Sequence, residues 1–98
     1  MKDATFGGYW REHERPPAFM GRDGDSYTAE IIVEPESSDP NGVWFAYLFF
    51  LRWHGNEPVG HVESEVLAEA EGEREVRSAL EALTLHEVKS ILDRLVPG

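Results

Sequence analysis

Apolar residues change their spacing once along this chain. From Ala18 to about Leu67 they alternate with polar residues or form unbroken runs, as strands require. From about Ala70 they recur three and four apart, as helices require. The densest run is Val43 to Trp53, in which ten of eleven residues are apolar or aromatic. Its aromatic and β-branched content favours a strand. Val43, Phe45, Tyr47, Phe49, Leu51 and Trp53 fall on one face of that strand, and Trp44, Ala46, Leu48, Phe50 and Arg52 on the other. A strand with one wet face alternates apolar and polar residues. This one does not, so both of its faces need cover.

The flanking segments predict two successive hairpins. In the first, Ala18 to Val33, a two-residue Asp23-Gly24 turn sets Met20 opposite Tyr27 and Ala18 opposite Ala29. A loop from Glu34 to Gly42 leads into the central strand. In the second hairpin, a Gly55–Pro58 loop leads to a strand from Val59 to about Leu67. Leu51 then faces Val62 and Phe49 faces Ser64, while Arg52 pairs with His61 and Phe50 with Glu63. Slipping this register by one residue would turn Glu63 and Glu65 into the core.

Two helices are expected to follow. Val76, Ala79, Leu80 and Leu83 make one helical stripe, and Leu85, Val88, Ile91, Leu92 and Leu95 another. Thr84-Leu85-His86-Glu87 has the capping-box pattern. Residues 1–8 read as a loose start. Tyr9 to Arg15, closed by Pro16-Pro17, reads as an edge strand or extended arm.

The expected fold is α+β in one domain, residues 1–98. An antiparallel sheet of about four strands is followed by two C-terminal helices packed on one face. The helices are expected over Met20, Tyr27, Ile31, Phe45, Phe49, Leu51, Trp53 and Val62. The second face then holds Phe19, Ile32, Trp44, Leu48 and Phe50, ringed by Glu30, Glu34, Arg52, His54, His61, Glu63 and Glu65.

Charge narrows the function. Nineteen acidic residues against nine basic ones give a net charge of −10. That argues against nucleic acid, whose binding proteins neutralise phosphates with lysine and arginine, and against anionic membranes. There are no cysteines, hence no disulfides and no thiolate chemistry. No apolar leader stands at the start, and a cytoplasmic setting is expected.

No motif identifies a reaction or a cofactor. His61 and Glu63 project from the same face of a strand, as a zinc site or an acid–base pair would require. The pairing of His61 with Arg52 argues instead for an ordinary charged strand surface. The candidate ligand or interface residues are Trp10, Trp44, Leu48, Phe50, Arg52, His54, His61 and Glu63. The reading they support is a non-enzymatic binding or assembly module that pairs with another copy of itself, or with a protein partner, through an apolar sheet face or edge. One alternative is a small-ligand binder or enzyme with a pocket between Trp10, Trp44 and His61, beneath the N-terminal arm. Another is an acidic, antitoxin-like regulator of a basic protein.

Overall fold

The computed structural model describes residues 4–98. The element order is α1 (Phe6–His13), β1 (Ala18–Met20), β2 (Ser26–Pro35), β3 (Trp44–His54), β4 (Glu57–Glu63), β5 (Ala68–Ala70), α2 (Glu73–Glu81) and α3 (Leu85–Leu95). The α+β class, the antiparallel sheet and the two C-terminal helices are as the sequence predicts. The sheet runs β1-β2-β3-β4, and β5 also pairs with β3. Every pairing is antiparallel.

The N-terminal segment departs from expectation. Of the loose start, residues 1–3 lie outside the described residues, and Phe6 to Gly8 open a helix. Tyr9 to His13, read as an edge strand or arm, continue it. The Thr5 hydroxyl caps this helix by accepting a 3.0 Å hydrogen bond from the Gly8 amide. Tyr9 and His13, one turn apart, bring their rings to 4.3 Å. Glu14, in the left-handed conformation, ends the helix before the two prolines. Gly7 is buried where α1 crosses α2; a Cβ there would stand 2.9 Å from the Glu81 Cβ. The Phe6 amide donates to the Leu83 carbonyl and the Leu85 amide to that of Ala4. The chain start is thereby fixed to the α2–α3 junction.

Both hairpin registers differ by one residue from those the turn signals imply. Ala18 faces Thr28 and Met20 faces Ser26, because the first connection is the five-residue loop from Gly21 to Asp25. In the second hairpin Leu51 faces His61 and Phe49 faces Glu63. Its turn is Gly55-Asn56 alone, with Gly55 at φ 63° in the first central position, where a type II′ turn needs glycine. An irregularity between Arg52 and Trp53 absorbs the difference. The strand expected to continue to Leu67 is interrupted after Glu63. Residues 64–67 stay attached to β3, since the Ser64 amide donates to the Leu48 carbonyl, the Leu67 amide to that of Ala46, and the Ser64 hydroxyl accepts from the Leu48 amide.

These register changes go with an inversion of the sheet. The helices cover Ala46, Leu48 and Phe50, which are fully buried together with Tyr27, Ala29, Val76, Leu80, Val88 and Leu92. Phe45, Phe49, Leu51 and Trp53, expected beneath the helices, lie on the opposite face, as does Met20. The cause lies in β2. Its one carboxylate-free face carries Tyr27, Ala29, Ile31 and Val33, while the other carries Glu30 and Glu34. The β2–β3 register sets Ala29 beside Phe50 and Ile31 beside Leu48. Burying the odd face of β3 would have buried the two glutamates as well, at a desolvation penalty no partner in the fold offsets.

Beyond Thr28, β2 is the free edge of the sheet. The Ala29 amide donates to the Pro17 carbonyl, so the backbone groups of Ile31 and Val33 also point away from β3, where no strand among the described residues is paired with them.

Candidate functional site

The sheet face turned away from the helices is a row of large side chains. Phe45, Tyr47, Phe49, Leu51 and Trp53 descend β3, and Ile32 stands beside Tyr47 on β2. All six are half-buried, and none belongs to the hydrophobic core. Among the described residues no element lies across them. At the end of the row Met20 adds a side chain that is 62 % exposed.

The row is held by polar contacts at its margins. The Trp53 indole Nε1 donates to the Thr28 hydroxyl at 3.0 Å, which fixes the indole plane against β2. The Tyr47 hydroxyl donates to Glu34 Oε1 at 3.0 Å. Burial first, and then this bond to a carboxylate, raises the Tyr47 pKa. The His61 ring stacks on Phe49 at 4.9 Å, and its Nε2 lies 3.5 Å from Glu63 Oε1. Phe45 and Tyr47 stack at 6.4 Å. Carboxylates flank the row on both sides. Glu34 and Glu69 stand opposite Phe45, and Glu30 and Glu63 opposite Phe49.

The residues singled out from the sequence are thus divided among several places. Leu48 and Phe50 are core and offer nothing to a ligand or interface, and Trp44 packs against that core. The apolar surface they were expected to form is made by their neighbours in sequence, Phe45, Tyr47, Phe49 and Trp53. His61 and Glu63 do reach the open face, beside Leu51 and Phe49 rather than beside Arg52. Glu30, Glu34 and Ile32 stand on the same face, because they alternate with Ala29, Ile31 and Val33 on β2.

Arg52 and His54 belong instead to a polar cluster at the β1–β2 turn. Arg52 Nε donates to Asp25 Oδ2 at 2.5 Å, a bond that raises the already high guanidinium pKa further. Arg52 Nε also lies 3.7 Å from Asp23 Oδ2, and His54 Nδ1 3.7 Å from Asp25 Oδ1. Tyr27 closes the cluster from below by donating to Asp23 Oδ2 at 2.7 Å.

Trp10 is on α1 and 46 % exposed. It lines a cleft of about 280 Å³ with Phe6, Ala29, Glu30, Ile31, Arg77 and Glu81, beside the free edge of β2. The pocket expected between Trp10, Trp44 and His61 does not form, because Trp44 packs on the core and His61 lies on the outer face. The cleft itself is smaller than the ~300–1,000 Å³ usual for small-molecule sites. Among the described residues no three His, Asp or Glu side chains are grouped to hold a metal ion. Nor, among the described residues, is any helix long and apolar enough to cross a membrane.

Compared with protein families, with curated proteins and with solved structures, the chain matches none of them.

Proposed function

We propose that this protein is a non-enzymatic docking module whose working surface is the outer sheet face. One observation carries the reading. Six apolar side chains, five of them at alternate positions along β3, occupy a sheet face over which no layer lies among the described residues. A sheet buries its apolar faces against other elements, and contiguous exposed apolar surface with a charged margin marks interaction sites. The polar groups on this face serve the row itself: Thr28 holds the Trp53 indole, and Glu34 holds the Tyr47 hydroxyl. The charged contacts of Arg52 with Asp25 lie apart from it at the β1–β2 turn.

A photo-reactive phenylalanine analogue in place of Tyr47, irradiated in native extract, tests the reading. Adducts should form at position 47 and be much weaker from the same analogue at the exposed helix position Ala79. Equal yields at both positions would count against a docking face.

Self-association is the second reading, and the unpaired edge of β2 favours it. Two copies joined antiparallel along Ile31 to Val33 would continue one sheet across an isologous interface. Light scattering on a sizing column decides it: a dimeric mass supports the edge contact, and a monomeric mass removes it.

A further inference from the structure

We propose that the occupant of the outer face is a basic amphipathic helix of a partner protein, not a second copy of this chain. This rests on the docking reading above and names the partner's chemistry.

The argument begins with charge. Glu30 and Glu63 stand on either side of Phe49, and Glu34 and Glu69 on either side of Phe45. Among the described residues no lysine or arginine occupies a position on this face, and none forms an ion pair with any of the four. Histidine His61 is the one basic side chain there, and it lies against Glu63. A second copy laid face to face would set four carboxylates against four more, on a chain already at −10. Like charges brought together across an interface disfavour the pairing. A partner bearing cations along the margins would pair with these glutamates.

Geometry then selects a helix. Adjacent strands lie about 4.8 Å apart, so the carboxylates flanking β3 originate about 10 Å from each other. That is the diameter of an α-helix with its side chains. A helix lying along the row would place lysine or arginine from both flanks of its apolar stripe over the two lines of glutamate. From Phe45 to Trp53 the row extends about 27 Å at strand rise, a span covered by about 18 helical residues. Its far half, with Leu51, Trp53, Thr28, Ser26 and Met20, carries no formal charge. The expected ligand is therefore a helix of about five turns, with basic flanks over one half and a plain apolar stripe over the other. Docked, it would add a third layer, leaving the sheet covered on both faces.

The test uses fluorescent peptides of about 18 residues, one with a leucine stripe flanked by lysine and one with the same stripe flanked by glutamate, titrated into the full chain by anisotropy. The lysine peptide should bind, and its affinity should fall by about tenfold or more toward 1 M salt, where the screening length is ~3 Å. The glutamate peptide should not bind. The Glu30→Lys/Glu63→Lys variant, which keeps Glu34 and Glu69, should weaken the lysine peptide by about tenfold or more, and unchanged affinity would overturn the charge argument. The Phe45→Ala/Phe49→Ala variant keeps every charge and should also lose the lysine peptide; retained binding there would mean diffuse attraction to an acidic protein and would overturn the proposal. Circular dichroism confirms that both variants are folded. Equal binding of both peptides would overturn the charge argument and leave the docking reading intact. A dimer by light scattering that Phe49→Glu dissociates would assign the face to a second copy, again overturning only this proposal. If neither peptide binds and position 47 crosslinks no better than position 79, both readings fail together.

Discussion

The Tyr27 hydroxyl donates to the Asp23 carboxylate at 2.7 Å, while the Tyr27 ring is only 1 % exposed. One side chain thus ties the first hairpin loop to the centre of the core. The pair makes stability depend on pH at both extremes. Burial, and then the neighbouring Asp23, push the Tyr27 phenol up from 10.0 to about 12. The unfolded chain releases that proton first, so this contribution is complete below pH 10 and is lost as pH rises toward about 12. The Tyr27 hydrogen bond holds Asp23 below the usual carboxylate range. Its contribution is present above the unfolded carboxylate pKa and is lost as pH falls through the folded value. In Tyr27→Phe the alkaline loss should largely disappear, and the acid loss should shrink. Urea midpoints of both proteins at neutral pH, at about pH 11 and at about pH 3 check this; parallel curves would contradict it.

Gly21 stands under the same contact. A Cβ there would lie 2.5 Å from Tyr27 Cε1 and 2.7 Å from Asp23 Oδ1, and neither neighbour can withdraw without breaking the bond between them. Gly21→Ala should destabilise the fold by about 1–3 kcal/mol. Gly60→Ala is the control, since nothing lies within 4 Å of a Cβ there. It should unfold close to the parent in urea.

Phe49 and Phe50 are adjacent in sequence and lie on opposite faces. Phe50 is fully buried, so Phe50→Ala should cost about 3–5 kcal/mol. Phe49 lies outside the core, and Phe49→Ala should cost less than about 1 kcal/mol. Equal losses in chemical denaturation would mean that the outer face is packed within the fold and is no docking surface.

The helices were legible because their information is local. Thr84 and Glu87 satisfy each other's amides at 3.0 Å, as their spacing foretells, and the stripe of Val88, Ile91 and Leu92 is buried. The choice of sheet face was not legible from β3 alone, since either set of its alternating residues could form a core. It was decided by Glu30 and Glu34 on a neighbouring strand, through a register that no turn signal encodes. Asp23-Gly24 also misled, because Asp23 gives its carboxylate to Tyr27 and to the Asp25 amide, which spreads the turn over five residues. The N-terminal helix was hidden by its two glycines, poor helix formers that serve instead for close packing and for the cap. The surface grouping of His61, Glu63, Glu30 and Glu34 was recovered, but around the wrong aromatic residues.

The free edge of β2 is the place where this protein is exposed to uncontrolled growth. Among the described residues no strand pairs the amides and carbonyls of Ile31 and Val33, and such an edge is a template for pairing with another chain. Pro35, which has no amide to offer, closes the template at one end, and Glu30, Glu34 and Glu36 line its approach with exposed carboxylates. On the docking reading, Glu30 and Glu34 would act twice, once as the recognition margin of the outer face and once as guards of the edge. A partner that neutralised them would also disarm the guard. The acidity that would suit this chain to a basic visitor would also oppose the open-ended stacking of its copies.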